Sequence, residues 1–184
     1  MRNKKKRKSS GGIAEVIFVR GGKRFGPYLL FLAFLSGLAV LIMWLMGSES
    51  AMASFQNGIA HVTNFVLNLL GNRTWVIGHT ITSSRFSITV VTACTGLFMT
   101  AVFLSAVAAY PARFIAKLIG LALGIVGIFT VNIVRLVSLF YIGVYWPSFL
   151  DQAHLLVWPS LLIVFSLFLW LFWAGKVTHA PHEA

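Results

Sequence analysis

Acidic residues are nearly missing from this chain: four Asp and Glu stand against fifteen Lys and Arg in 184 residues. Charge of either sign makes up only 10% of the chain, where a soluble domain carries about 25%. Cysteine is scarcer still. A single thiol, Cys94, excludes an internal disulfide and any zinc or iron–sulfur site built from several cysteines. No pair among the histidines has strong metal-ligand spacing, so no metal and no cofactor is expected.

What fills the chain instead is apolar. Hydrophobic residues make up 58% of it, and the mean hydropathy is +0.86. These values describe an integral membrane protein whose core partly faces lipid. The chain is too short for several domains. The net charge of +11 does not point to nucleic acid, because nine of the fifteen basic residues lie before residue 25. A basic cluster ahead of a long apolar run marks a cytoplasmic flank and a contact for anionic lipid. The apolar run is too long for a cleaved leader, and no small-residue cleavage site follows it closely.

A spanning helix needs about 20 apolar residues. Residues 28–46 meet this and, with the basic arm inside, run outward. Residues 51–70 carry apolar side chains at helical spacing with Gln56, Asn57, His61, Asn64 and Asn68 between them, which reads as an amphipathic helix. Residues 74–91 are rich in Thr, Val, Ile and Ser and read as a short hairpin or extended segment. A second, short span runs inward from Thr95 to Tyr110, and residues 111–117 form a tight basic turn. A third apolar segment, residues 118–145, is longer than a bilayer needs and should tilt, protrude or break near Asn132. A loop over 148–154 and a fourth span over 155–173 complete the path. The expected fold is all-α, a polytopic bundle of about four spans with one amphipathic helix and a short β-like segment before Cys94. The expected organisation is a cytoplasmic arm over 1–27, a membrane-embedded domain over 28–175 and a cytoplasmic tail over 176–184.

This path brings three distant ionisable residues to one depth near the outer face: Cys94, Arg135 and His154. Ionisable groups at membrane depth are functional hypotheses by default. A thiol, an imidazole and a guanidinium together make a nucleophile, a base and an anion stabiliser. Each has a plainer reading. Cys94 can be a small buried hydrophobe or an acylation site. Arg135 can snorkel to the interface. His154 can cap a helix, with Asp151 three residues earlier placed to orient its ring. His61 and His79 are rivals to His154, and Arg113 and Lys117 read as topology anchors. Gly96, two residues past Cys94, would admit a substrate backbone, and Asn132 shares a helix face with Arg135. An assembly subunit or a small transporter would use the same residues as packing and polar contacts.

Ala93-Cys94-Thr95-Gly96-Leu97 before one helix, Asn132-x-x-Arg135 in a later one and His154 before the last span resemble the exosortase/archaeosortase family over residues 50–175. The resemblance implies a membrane cysteine transpeptidase, with Cys94 as nucleophile, Arg135 as the essential arginine and His154 as the third catalytic residue. Thr95, Gly96, Asn132 and Asp151 would support them or the substrate. The implied partners are exported proteins ending in a short motif, a transmembrane helix and a basic cluster. They would be cleaved at the outer face of the cell membrane. The chain has few spans before the cysteine, which suggests a minimal form of the family.

Overall fold

The structure, a computed structural model, describes residues 49–178 without a break and, before them, residues 26, 29, 31–38, 40, 41 and 44, all helical. The remainder of the expected basic arm, the full extent of the first span and the tail beyond residue 178 lie outside the described residues.

The first continuous helix, α1 (Glu49–Leu69), carries Glu49 in its first turn, where a carboxylate complements the helix dipole. Its buried side chains, Met52, Ile59, Ala60, Thr63 and Leu67, recur at helical spacing and form one stripe. The hydroxyl of Thr63 donates back to the Ile59 carbonyl at 2.8 Å, so a polar residue sits in that stripe without an orphan donor. Gly71, at φ +87°, ends the helix. The Gly71 amide bonds the Asn68 carbonyl and the Asn72 amide bonds that of Leu67, both at 3.0 Å, a pairing that favours glycine at the left-handed position.

Three short antiparallel strands follow: β1 (Trp75–Ile77), β2 (Thr80–Thr82) and β3 (Ser87–Thr89), in spatial order β1-β2-β3. Trp75 pairs with Thr82, and Ile81 pairs with both Val76 and Ile88. The expected hairpin is therefore a three-stranded meander. Its second turn is held by Ser83, whose hydroxyl accepts the amides of Arg85 and Phe86 and donates to the Phe86 carbonyl. Ile81 is fully buried beneath it.

Helix α2 (Leu97–Ala109) has 13 residues, about 20 Å at 1.5 Å per residue. Helix α3 (Phe114–Tyr145) has 32, or about 48 Å. The basic stretch over 111–117 is thus only partly a turn, because α3 has started by Phe114. Lys117 reaches back from it to bond the Ala108 carbonyl at 2.6 Å, capping α2 as well as marking a charged end. Nor does α3 break at Asn132. That side chain and Arg135 are buried in the bundle and find partners on another element, so neither competes with the helix backbone.

The expected loop over 148–154 is helical. Trp146 ends α3 in a non-helical conformation, and Pro147 stands at the start of the next turn, where its fixed φ suits a helix. A 3₁₀ turn (Pro147–Phe149), a short α turn (Leu150–Gln152) and a π-helical turn (Ala153–Val157) lead directly into α4 (Trp158–Thr178). Among the described residues, Phe114–Tyr145 and the run Pro147–Val177 are long and apolar enough to cross a membrane, and Leu97–Ala109 is apolar but shorter.

Two apolar clusters hold the bundle. One gathers Ile59, Leu67, Ile81, Val90, Cys94, Leu136 and Phe140. The other gathers Phe103, Val107, Ile128, Trp173 and Ala174. The second is a join of α2, α3 and α4. A Cβ at Gly124 would lie 2.2 Å from the Phe103 ring, and one at Gly120 would lie 2.6 Å from the Trp173 indole. The Trp173 indole N–H donates to the Ala116 carbonyl at 2.9 Å.

Candidate active site

The strand β3 delivers the chain to a single 3₁₀ turn, Thr92–Cys94, through the extended Val91. The Cys94 amide bonds the Val91 carbonyl at 2.8 Å, and the Thr95 hydroxyl donates to the Thr92 carbonyl at 2.6 Å. The turn is closed by its own side chains and directs the thiol inward, where Cys94 is 3% exposed. Thr95 is fully buried, so it supports the turn and does not face an open surface.

Gly96 caps α2 at φ +76°, a backbone conformation that disfavours any residue with a Cβ. A Cβ there would also stand 3.3 Å from the Asn132 amide carbon. Gly96 also lines a cavity with Arg135 and His154, so besides any room it leaves for a substrate backbone it serves the chain's own turn and its contact with α3. Asn132 completes that contact by donating to the Cys94 carbonyl at 2.8 Å.

The three sequence candidates converge. The Cys94 Sγ lies 3.0 Å from His154 Nε2 and 4.0 Å from the Arg135 Nη2. Arg135 projects from the same face of α3 as Asn132 and is 5% exposed. Arg135 Nε and Asn132 Oδ1 are buried without a hydrogen-bond partner. Unpaired buried polar atoms are uncommon and call for a reason. Burial pushes the Cys94 thiol above its ordinary pKa, against the opposing pull of the Arg135 charge. The thiol therefore rests protonated at neutral pH, with the imidazole in hydrogen-bond reach.

Asp151 is exposed and shares a cavity with Cys94 and His154. No hydrogen bond or ion pair joins it to the His154 ring, so its expected orienting role becomes at most a longer-range charge effect. His61 is exposed on α1, and His79 sits in the turn between β1 and β2. Neither bonds the thiol. A residue without an assigned role in the sequence does reach the site: Gln56, on α1, donates to the Thr92 hydroxyl at 3.1 Å. Its signal was present as a polar side chain within an apolar helical pattern.

Among the described residues no group of three His, Cys, Asp or Glu is placed to hold a metal. The arrangement is one of acid, base and nucleophile chemistry: an activatable thiol, a proton acceptor in contact with it and a fixed cation on the other side.

Comparison with curated proteins and with solved structures gives no match. A family model described as transmembrane exosortase matches residues 12–174. That stretch contains the turn, the buried arginine and the histidine just described. An integral membrane protein by its apolar helices and by this match, the chain belongs to the transmembrane exosortase family.

Proposed function

We propose that the protein is a membrane cysteine transpeptidase that acts on C-terminal sorting signals at the outer face of the cell membrane through a Cys94 thioester. The contact between Cys94 Sγ and His154 Nε2 at 3.0 Å, with Arg135 at 4.0 Å, carries the reading. With a thiol held protonated by burial, His154 acts as general base during attack, in preference to sharing a standing ion pair. The sulfur adds to the peptide carbonyl. The Arg135 guanidinium then balances the charge that develops on the oxygen, in a site where little water competes. His154 passes its proton to the departing amine, leaving an acyl group on Cys94. Arg135 Nε is without a partner, and its side chain lines the cavity beside His154, so it suits a peptide carbonyl.

The placement follows from charge. The basic arm, the turn around Arg113 and the segment after Lys176 are assigned to the cytoplasm, which puts Cys94 outside and both termini inside. The substrates are exported proteins whose C-terminus carries a motif, one transmembrane helix and a basic cluster, drawn from the surrounding lipid. Supporting roles go to Thr95, Gly96 and Asn132, and to Asp151 as a nearby charge.

The test is a trapped intermediate. Full-length protein in membranes, mixed with an exported protein bearing such a C-terminus, should form an adduct on Cys94 that hydroxylamine releases. Cys94→Ser should insert normally and form none. Processing by Cys94→Ala at the wild-type rate would remove the nucleophile assignment.

A further inference from the structure

Two cavities meet at His154. The first, about 220 Å³, is lined by Gly96, Phe98, Arg135, His154, Leu155 and Pro159, among others. The second, about 110 Å³, is lined by Ile88, Thr89, Cys94, Asp151 and His154, with Leu139 and Leu150 behind them. His154 alone is common to both linings. Arg135 faces the first cavity and Cys94 the second, so the sulfur, the imidazole and the guanidinium sit at the junction.

The rims differ in chemistry. At the first, Phe98 is 70% exposed and Leu155 67% exposed, both on apolar helical segments. Such a rim suits a peptide whose continuation lies in lipid. A polar nucleophile entering there would first shed its hydration, which is unfavourable unless offset by pairing. At the second rim stand Thr89 and Asp151, both exposed. Thr89 belongs to β3, an edge strand of the sheet. Open strand edges are not found against hydrocarbon, so this mouth faces water.

We infer that the two cavities divide the two half-reactions: the peptide is held from the lipid side, and the nucleophile that resolves the thioester, an N–H or O–H group, arrives past Thr89 and Asp151. The inference rests on the thioester reading above. In the first half, the S–C bond forms, the peptide C–N bond breaks, and the thiol proton travels through His154 to the departing amine. In the second half, the incoming N–H or O–H proton goes to His154. A C–N or C–O bond forms, the C–S bond breaks, and His154 returns the proton to the thiolate. A histidine that borders both spaces can serve each step without moving between them. The second cavity has room for roughly three or four non-hydrogen atoms, taking about 30 Å³ for each water-sized group. Only the reactive tip of a larger acceptor would enter.

The experiment follows single turnovers of the full-length protein in proteoliposomes and measures thioester formation and decay separately, with hydroxylamine as the added nucleophile. Thr89→Trp should form the thioester within about twofold of the wild-type rate and resolve it at least tenfold more slowly. Leu150→Trp, which narrows the same cavity from a different element, should do the same and stands in if the strand variant fails to insert. Phe98→Trp should invert the pattern, with slow formation and normal decay. Slowed decay by hydroxylamine alone assigns the route to amine acceptors, and slowed decay by water as well assigns it to both. Normal decay in Thr89→Trp and Leu150→Trp, with thioester present, overturns the division of the cavities. Absence of a thioester in the wild type overturns the proposed function instead.

Discussion

The two ends of the bundle differ in what they add to a shared base of apolar packing. Where α2, α3 and α4 meet around Phe103 and Trp173, the fit is ring against glycine, and Tyr110 packs edge-on against Trp170 and Trp173. Where α1, the sheet and the turn of Cys94 meet α3, the apolar cluster and the Phe86 ring against Gly143 are joined by directed side-chain bonds between elements. Asn132 holds the Cys94 carbonyl, Gln56 holds Thr92, and Asn72 donates to the Tyr141 hydroxyl at 2.6 Å. Packing of the first kind tolerates small rotations, because dispersion is non-directional. Bonds of the second kind specify position to a few tenths of an ångström. The contrast separates what keeps the helices together from what aims the thiol.

The contrast breaks most visibly at Gly124. A side chain there must displace the Phe103 ring, so Gly124→Val should fall at the upper end of the ~1–3 kcal/mol typical of overpacking. Unfolding in detergent should register the loss, while activity per folded molecule changes little. A matching loss in the rate of the folded fraction would show that the two ends are not separable. At the other end, Arg135→Lys keeps the charge and loses the planar fork. Processing should drop at least about tenfold, equivalent to ~1.4 kcal/mol in the barrier, at normal abundance. Arg113→Lys, exposed beside the start of α3, is the control and should be nearly silent. Equal activity in both variants would make Arg135 an ordinary anchor.

Gln56→Ala tests aim alone. It removes one hydrogen bond, worth about 1 kcal/mol, and touches no reacting atom. A several-fold slower thioester formation with unchanged stability is expected. Gln56→Glu, whose carboxylate can accept from the Thr92 hydroxyl, should restore part of the rate. The smallest effect concerns protonation. Because burial raises the thiol pKa, alkylation of Cys94 in the free protein should climb with pH and reach its midpoint above the ordinary value of about 8.5. Arg135→Gln removes the charge that opposes burial, so its midpoint should move further up. A midpoint below the ordinary value would favour a standing thiolate and a different role for His154.

The membrane class, the helix over 51–70 and the convergence of Cys94, Arg135 and His154 were legible in the sequence, because charge inside apolar context is costly enough to leave a pattern. Three features were not. Three-residue strands carry too little alternation to count, so the meander read as a hairpin. The need for Gly96 arises from a left-handed turn and from Asn132, far along the chain, and neither leaves a local mark. Pro147 signals an end and a beginning equally well, so the sequence pattern alone leaves the helical turns after it looking like a loop. Asp151 illustrates the remaining gap. Spacing of three placed it near His154, but proximity along a helix does not fix the rotamer that would join the two.

The π-helical turn over Ala153–Val157 has a consequence for how this histidine can be lost. Such a turn holds one residue more than the α-helical screw requires. It works as a vernier: it shifts the angular phase of everything before it by about 100°, the turn per residue of an α-helix, while the helix after it stays in register. Deleting one residue from 155–157 would relax the surplus into ordinary α-helix. Trp158 onward would keep its seat against α3, with Trp173 still bonded to Ala116. The imidazole, however, would swing round the axis, away from the sulfur. A chain that inserts and packs normally but has lost its base is thus one codon away, without any change to the residues that touch the thiol.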